Sequence, residues 1–386
     1  MLFKSGAFFV LIFTFFAPNI PLANTETKSK YSVVHVIDRL YTGGAERVVV
    51  TLANIFYKHG HNVKVVTITE SGPLAAQLLL GVEHINLGRT FKFDPFIMHK
   101  LISQVKSFDV VHVHSFFNLR YLWLAKQLFG LKQQIFYHEH FGFRAKMKPT
   151  FMQKTILPKT IFIATTAQIN AWAVGKLNMP QEKVFTLPNI VLREEVKTTK
   201  QAKTGKQLVI VSNLRNEKHI EFAITLLQFL KRNGAGYHLT IIGKLSDMDY
   251  QSKLLQLAED TKTTDNITWV HNANNVQQLL GEFDLGIHTS SSESGPLAVI
   301  EYLAQGLPFV TYNTGEVVTI IKPLLPQCVA YSFEVSEWEY KIRQLQATPQ
   351  NLLKQQLQAV FEGHFSAEAY YQKCLEIYDL HTPSAP

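Results

Sequence analysis

Short apolar runs alternate with longer amphipathic stretches through the first half of the chain. Residues 32–37 form a run typical of a buried strand, and a helical pattern follows that is predicted to end at Gly60. Five apolar side chains share one face of that helix: Val48, Val49, Leu52, Ala53 and Phe56. Residues 63–68 then give a β-branched strand, and such a strand–helix–strand unit predicts a parallel sheet covered by helices. Three more buried-strand patterns follow, at residues 110–113, 134–137 and 161–165.

The same alternation resumes after a polar stretch. Residues 220–230 have a helical pattern. Five strand patterns surround it in the second half: residues 208–211, 238–242, 267–270, 285–288 and 309–312. Two α/β domains bring two sets of strand carboxyl ends face to face, and ligands of such sheets lie outside those ends. The cleft between the two domains is therefore the predicted site.

A change of composition marks the domain boundary, because Pro188 and Asn189 lead into a charged segment and then a Lys/Thr/Gln-rich one at residues 197–206. This stretch is typical of a solvated linker. The predicted division has five parts: a signal-like or anchor segment at residues 1–24, a first domain at 31–190, a linker at 191–206, a second domain at 207–362 and a C-terminal helix and tail at 363–386.

Composition excludes several classes of protein. With 386 residues and 46% hydrophobic content, the chain has room for about two to three domains with real cores. The 38 Lys and Arg residues exceed the 30 Asp and Glu residues by only 8, which argues against a nucleic-acid partner. The two cysteines, Cys328 and Cys374, cannot make a disulfide framework or a four-thiolate zinc site. Disordered, disulfide-scaffold and zinc-finger classes are excluded.

The first 24 residues combine Lys4, the apolar run 6–17 and a candidate cleavage residue, Ala23. Pro21 lies two residues before Ala23, where a small residue is expected, and this argues against cleavage. An upstream extension outside the fold is the alternative interpretation.

The segment from Ser290 to Glu301 carries the most chemical information. Pro296 suits the first position of a helix and Gly306 the position after its last, so a helix is predicted at residues 296–305. Its N-terminus follows a strand at the cleft, where free N–H groups and the helix dipole favour an anion such as a diphosphate. Glu293 precedes this terminus and Glu301 lies roughly 7.5 Å along the axis, a spacing that suits hydroxyls on the two sides of a diphosphate. The alternative is one surface acid and one half-buried acid.

Two further groups suit the same ligand. Arg215 and Lys218 follow the first strand of the second half and can place positive charge on a leaving pyrophosphate, although both can also be solvated charges at a helix start. Gly43 and Gly44 form a turn that can approach a ligand at a helix N-terminus. The pair is not a dinucleotide-binding motif, and a tight turn alone would also use it.

His138 and His140 follow a strand, so that a side chain there can enter the cleft. A metal-site interpretation is weak, because these two histidines at i and i+2 have no evident further ligand. His114, at the end of another strand, is expected to be structural.

Together these features resemble the retaining family 4 glycosyltransferases of the GT-B fold, over about residues 32–380. The strongest mark is Glu293 and Glu301 with seven residues between them, preceded by two serines and followed by residues 304–310 and 313–316. Weaker marks lie at residues 43–47, 60–63, 109–115, 139–140 and 188–189. The resemblance implies two Rossmann-like domains facing across a cleft, with a helix near residues 365–378 crossing back to the first domain.

The resemblance also implies roles for individual residues. Glu293 would contact the transferred sugar, Glu301 the ribose, and Lys218 the diphosphate, while His140 would lie near sugar and acceptor. Further donor contacts are assigned to Gly43, Gly44, Ser294, Gly295 and Leu297. Two departures from the family pattern are visible. Asn213 stands where an Arg is common, so that Arg215 is the substitute, and Ser294-Gly295 replaces a Gly-aromatic pair.

The expected function is transfer of a sugar from a nucleotide sugar to a glycan or lipid-linked hydroxyl acceptor with retained anomeric configuration, in synthesis of a cell-surface polysaccharide, lipopolysaccharide or glycolipid. No metal and no cofactor besides the donor are expected. A sugar-nucleotide 2-epimerase and a non-catalytic nucleotide-sugar-binding protein are the alternatives.

An anionic membrane surface is a further expected partner. Between His140 and Pro180 there is no acidic residue. Six basic and six apolar residues interleave there: Arg144, Lys146, Lys148, Lys154, Lys159 and Lys176, with Phe141, Phe143, Met147, Phe151, Met152 and Ile156. Such a stretch suits a membrane interface, and a solvated helix beside an acidic partner or a phosphate-bearing acceptor is the alternative. Because nucleotide sugars are made in the cytosol, the expected location is the cytoplasmic membrane face, with the first 24 residues as an anchor.

Overall fold

The computed structural model describes residues 30–41, 43–196, 206–234, 236–244, 247–271, 273 and 275–382. The apolar segment predicted at residues 1–24 and most of the predicted linker lie outside them. The described residues form two sheets in which all strand pairs are parallel. The α/β class expected from the alternating pattern is confirmed.

Seven strands build the sheet of the first domain: β1 (Ser32–Ile37), β2 (Asn62–Thr67), β3 (Glu83–Asn86), β4 (Val110–His114), β5 (Ile135–Glu139), β6 (Ile161–Ala164) and β7 (Val184–Thr186). Their spatial order is β3-β2-β1-β4-β5-β6-β7. Five helices connect them: α1 (Gly44–Lys58), α2 (Pro95–Val105), α3 (Phe116–Phe129), α4 (Phe151–Ile156) and α5 (Ala167–Leu177).

Six strands build the second sheet: β8 (Gln207–Val211), β9 (His238–Ile242), β10 (Ile267–Val270), β11 (Leu285–His288), β12 (Phe309–Tyr312) and β13 (Val329–Ala330). Their order is β10-β9-β8-β11-β12-β13. Eight helices complete this part of the chain: α6 (Ile220–Asn233), α7 (Met248–Asp260), α8 (Val276–Leu280), α9 (Leu297–Gln305), α10 (Gly315–Ile321), α11 (Val335–Ala347), α12 (Gln350–His364) and α13 (Ala367–His381).

Each sheet has one point where the strand order reverses, between β1 and β4 in the first domain and between β8 and β11 in the second. In open parallel sheets this switch point leaves a crevice at the carboxyl ends of the two strands, because the following helices pass to opposite faces. The two crevices therefore define where each Rossmann-like domain can bind a ligand.

Burial on both sheet faces explains why the strands read as continuous apolar runs. Val34 and Val36 of β1 pack into one buried cluster, while Val33 and Ile37 pack into another on the opposite face. All five apolar residues predicted on one face of α1 are buried. The second sheet has its own core, in which Trp338, Phe309 and Phe361 are among the largest buried side chains.

Predicted and observed strands agree within one or two residues, and helix α6 begins at Ile220 as predicted. The sequence analysis did not identify β3, β7 or β13, which have four, three and two residues. Strands this short carry too few alternating positions to be separated from a loop.

Helix α13 returns from the end of the chain to the first domain, as the resemblance implies. Its N-cap, Ser366, accepts a hydrogen bond from the Ala369 N–H. Tyr378 packs edge-on against Phe136 of β5, and its hydroxyl lies 2.6 Å from His112 Nδ1. The side chains of α13 thus complete the core on one face of the first sheet.

Candidate functional site

A cavity of about 410 Å³ lies at the carboxyl ends of β8, β9 and β11. The loops after these strands, the start of α9, and Asn189 at the end of the first domain form its walls. Five residues assigned from the sequence line it: Lys218, Glu293, Gly295, Leu297 and Glu301. The cavity therefore sits at the switch point of the second sheet, where the parallel topology places a ligand.

Helix α9 points its N-terminus into this cavity. Pro296 lines the cavity as the N-cap residue with φ −67° and ψ 108°, so the helix begins one residue later than predicted. Because Pro296 has no polar side chain, the first N–H groups of α9 have no side-chain cap and are available to a bound anion. Gly306 ends the helix at φ 64°, in the left-handed region that favours glycine.

Two side chains that line the cavity pair with the Glu293 carboxylate. Lys218 Nζ lies 2.5 Å from Glu293 Oε1, and His288 Nε2 lies 3.4 Å from the same oxygen. Burial alone would raise the pKa of the Glu293 carboxyl, but the hydrogen bond and charge of His288, and then those of Lys218, lower it to about 2. Glu293 is therefore ionised at neutral pH, next to a fixed cation.

Hydrogen bonds join the loop that carries Glu293 to the loop that carries Lys218. The Ser290 hydroxyl and the Ser291 N–H both donate to the Glu217 carbonyl oxygen, at 3.0 and 2.9 Å. The Thr289 hydroxyl donates to the Lys218 carbonyl oxygen at 2.8 Å. These bonds set the spacing of the two charged side chains through the backbone.

Glu301 lies on α9 and lines the other side of the cavity. Burial raises the pKa of its carboxyl to about 7, the charge of Arg47 opposes the rise, and the charge of Glu194 adds to it. Arg47 belongs to α1 of the first domain, so the first domain contributes to the electrostatics of Glu301. The two glutamates thus differ: one is a paired anion, and the other titrates near neutral pH.

The predicted glycine turn lies at the start of α1. Gly43 is the N-cap of the helix, and Gly44 is its first residue. Neither has a positive φ, and a Cβ on Gly44 would meet no atom within 4 Å. A Cβ on Gly43 would lie 2.2 Å from the Glu46 carboxylate, so this glycine leaves room for Glu46. Neither glycine lines the cavity. Arg47, on the same helix, acts on the cavity through its charge, which lowers the pKa of Glu301.

Neither Ser294 nor His140 lines the cavity. A Cβ on Gly142, in the loop after β5, would lie 1.7 Å from the Ser294 hydroxyl oxygen, so the two domains touch here. His140 precedes this loop and is partly exposed, but its ring lies among other imidazoles, and burial lowers its pKa to about 3. Asn189 Nδ2 donates to the Gly295 carbonyl oxygen at 3.2 Å, a second contact between the domains.

Arg215 does not lie with Lys218 at the cavity. It is exposed, and it is not among the residues that line the cavity. Lys244, which the sequence analysis missed, does line the cavity. It follows Gly243, where a Cβ would lie 1.8 Å from the Ser212 carbonyl oxygen. A glycine directly after a strand was the signal that could have indicated this close approach of two loops.

The structure places five histidines side by side on one face of the first sheet. His114 Nε2 lies 3.2 Å from His35 Nδ1, and His114 Nδ1 lies 3.0 Å from His140 Nε2. His112 and His138 stack against neighbouring imidazole rings. His114, on the adjacent strand, brings a third imidazole to His138 and His140, a candidate ligand that the sequence alone does not show.

The basic and apolar stretch after His140 is partly as predicted. Five of its apolar side chains are exposed: Phe141, Phe143, Met147, Phe151 and Met152. Ile156 is buried, and Arg144 forms an ion pair with the buried Glu139 at 3.0 Å, so neither belongs to the surface patch. Within the described part of the chain, no helix has the length and apolarity needed to cross a membrane.

Comparisons with known proteins match both domains. The family described as Glycosyl transferases group 1 matches residues 193–359, and Glycosyltransferase Family 4 matches residues 42–194. An uncharacterized glycosyltransferase of Haemophilus influenzae is 26% identical over 279 residues, which cover 70% of this chain and 77% of that protein.

Two solved structures are similar in fold. A glycosyltransferase of Rickettsia africae has a TM-score of 0.75 and 15% identity, and the match covers 92% of this chain and 100% of that one. HepE of Anabaena in complex with UDP-glucose has a TM-score of 0.67 and 15% identity, with 90% and 100% covered. The likeness extends over both domains.

Proposed function

Because the chain belongs to the group 1 glycosyltransferases and has their GT-B fold, we propose that it transfers a sugar from a nucleoside-diphosphate sugar to a hydroxyl acceptor with retained anomeric configuration. The observation that carries the proposal is the arrangement of Lys218, Glu293 and Glu301 around the free N-terminus of α9 in one cavity. A helix N-terminus and a lysine suit a diphosphate, and two carboxylates suit sugar hydroxyls.

The donor is oriented by the order of these groups along α9. The diphosphate lies at the helix N-terminus near Lys218, the ribose lies toward Glu301, and the transferred sugar lies toward Glu293 and the first domain. Support for this class of donor comes from HepE, whose fold is similar and whose structure contains UDP-glucose.

Positive charge for the departing diphosphate comes from the chain itself in this proposal. Lys218 and the α9 N-terminus are fixed before the reaction by Glu293 and by the helix, so little reorganisation is needed as negative charge develops. Lys244 is a second cation at the cavity, a place that Arg215 does not reach. We therefore propose that transfer needs neither a metal nor a cofactor besides the donor.

The acceptor hydroxyl would approach from the first domain, past His140 and the loop at Gly142. Burial keeps the His140 imidazole neutral at pH 7, so it can accept a hydrogen bond from the acceptor. We assign the final proton acceptor to the departing phosphate, which is the strongest base that the reaction itself creates beside the acceptor.

The test is product analysis with purified protein, a panel of nucleotide sugars, glycan and lipid-linked acceptors, and EDTA. Release of the nucleoside diphosphate, with the new linkage assigned by NMR as the same anomer as the donor, is the expected result. Reactions without acceptor would reveal an epimerase, and Glu293→Gln is the inactive control. Inverted products would refute retention, and complete loss of activity in EDTA would refute metal independence.

We further propose that the acceptor is a polysaccharide, lipopolysaccharide or glycolipid precursor at the cytoplasmic face of a membrane. Support comes from the surface patch of exposed Phe141, Phe143, Met147, Phe151 and Met152, which exposed lysines surround. Apolar groups at this surface can enter an interface while lysines meet anionic lipid.

The membrane proposal is tested by co-sedimentation of the chain starting at Asn24 with anionic and neutral vesicles. Binding to anionic vesicles at low salt, weakened by Phe151→Ser, is expected. No binding would remove the patch from the proposal, and a full-length chain found free outside the cytosol would refute the location.

A further inference from the structure

Several buried ring nitrogens in the histidine cluster of the first domain have no hydrogen-bond partner among the described residues. Both ring nitrogens of His138 are buried and have no hydrogen-bond partner among the described residues. An unsatisfied buried polar atom costs about 1–3 kcal/mol, so such groups are rare unless water or an ion completes them. The ring of His138 is 0% exposed, which leaves the space between neighbouring imidazoles as the place for that partner.

Strand geometry explains why three imidazoles meet there. His138 and His140 lie at i and i+2, so both side chains point to the same face of the sheet. His114 is in register with His138 on the adjacent strand β4 and shares that face. The candidate ligand atoms of His114, His138 and His140 all lie within 4.8 Å of one another.

The distances are close to those of a metal site. Two nitrogens bound to one tetrahedral zinc at 2.0–2.1 Å lie about 3.3 Å apart. His114 Nδ1 and His140 Nε2 lie 3.0 Å apart. His138 must turn its ring toward them, and this movement breaks no hydrogen bond because neither nitrogen has one. Its ring is stacked on His140 with centroids 4.0 Å apart, so the two rings are already neighbours.

A neighbouring residue already prepares His114 for this role. His114 Nε2 lies 3.2 Å from His35 Nδ1, and donation of the Nε2 hydrogen to His35 leaves the His114 Nδ1 lone pair directed at the site.

A second possible group, His35 with His112 and His114, is less suitable. All three residues are 0% exposed, and His112 Nδ1 is already bonded to the Tyr378 hydroxyl at 2.6 Å. His140, in contrast, is partly exposed and begins the loop at the cleft. Of these two groups among the described residues, the one with His140 therefore has contact with solvent, which gives a metal ion a route.

We propose that His114, His138 and His140 bind Zn²⁺, with water or hydroxide on the cleft side as fourth ligand, and that this binding inhibits the enzyme. The inhibition rests on the proposed function. With zinc on Nε2, the His140 ring must carry its hydrogen on Nδ1, so it can no longer accept a hydrogen bond from an acceptor hydroxyl.

The first experiment measures metal binding without any activity. The full chain, purified without a polyhistidine tag, is titrated with Co²⁺, whose visible absorption reports tetrahedral coordination, and Zn²⁺ is then added to displace it. His138→Phe keeps an aromatic ring but removes a ligand, and His112→Phe makes the same replacement outside the proposed site. We expect one tetrahedral site, at least about tenfold weaker Co²⁺ binding in His138→Phe, and retained binding in His112→Phe.

Three outcomes would overturn the zinc site: no tetrahedral Co²⁺ spectrum, equal binding in the wild type and His138→Phe, or loss of binding in His112→Phe alone. Near-ultraviolet circular dichroism checks that both variants fold. If His138→Phe does not fold, His140→Gln at the partly exposed strand end is the second variant, and it should lose the spectrum as well.

The second experiment compares transfer in Zn²⁺ with transfer in EDTA, as a ratio for each protein. A ratio well below one for the wild type and near one for His138→Phe is expected. Equal ratios in the two proteins, with the site confirmed by Co²⁺, would overturn the inhibition. A chain without transferase activity would refute the proposed function and the inhibition that rests on it, while the Co²⁺ titration would still decide the zinc site.

Discussion

Replacing Glu301 by glutamine should stabilise the protein while weakening its binding of a nucleotide. The reason is the raised pKa of about 7 for the Glu301 carboxyl, against 4.5 for an ordinary glutamate. Because the folded chain holds this proton more tightly than the unfolded chain, the contribution of Glu301 to stability falls as pH rises from about 4.5 to about 7.

The size of the effect follows from the two pKa values. A difference of 7 − 4.5 = 2.5 units, at about 1.36 kcal/mol per unit, sets an upper limit of about 3 kcal/mol for the destabilisation at pH 8. At pH 5 the same two values give less than about 1 kcal/mol, since the folded carboxyl is then protonated. Glu301→Gln removes the titration and keeps a polar group of similar shape.

Denaturant unfolding of both proteins without nucleotide, at pH 5 and pH 8, measures this difference. Glu301→Gln should be more stable than the wild type at pH 8 and nearly equal to it at pH 5. Glu282→Gln, the same replacement at an exposed glutamate, is the surface control. A stability gain of Glu301→Gln that is the same at both pH values, or a loss at pH 8, would refute the burial argument.

Three further experiments test other contacts. Glu293→Ala should lower kcat far more than it changes nucleotide affinity, while Glu301→Ala should mainly weaken that affinity; equal effects on binding alone would contradict the assigned positions. Gly142→Ala should lower transfer because its Cβ would lie 1.7 Å from the Ser294 hydroxyl oxygen, and adding Ser294→Gly should restore activity, which steady-state kinetics would show. Tyr378→Phe removes the hydroxyl at 2.6 Å from His112 and should cost about 1–3 kcal/mol in denaturant unfolding; an unchanged midpoint would rule out this hydrogen bond as a stabilising one.

The sequence predicted what depends on local pattern. Ten of the thirteen described strands were identifiable, because parallel strands buried on both faces are continuous apolar runs. Helix α9 was identifiable from Pro296 and Gly306, although Pro296 proved to be the N-cap. Glu293 and Glu301 were found because one helix and the loop before it fix their separation.

Contacts between residues that are far apart in the sequence were not predictable. His114 and His140 are 26 residues apart and meet only because β4 and β5 are neighbours in the sheet. The link of Arg47 to Glu301 joins the two domains, and no local pattern indicates it. Lys244 lines the cavity and Arg215 does not. The loops after β8 and β9 approach each other closely at Ser212 and Gly243, and the positions of charged residues in the sequence do not reveal this approach.

The return of α13 has a consequence for the order in which the chain folds during synthesis. Domains generally fold as units, and N-terminal ones fold first as the chain emerges from the ribosome. Here the first domain lacks part of its core until Tyr370, Cys374 and Tyr378 have been made, after the whole second domain. A ribosome-bound chain that ends before Ala367 should therefore expose the part of this apolar cluster that α13 covers, and this surface should be open to chaperone binding until the last helix is released.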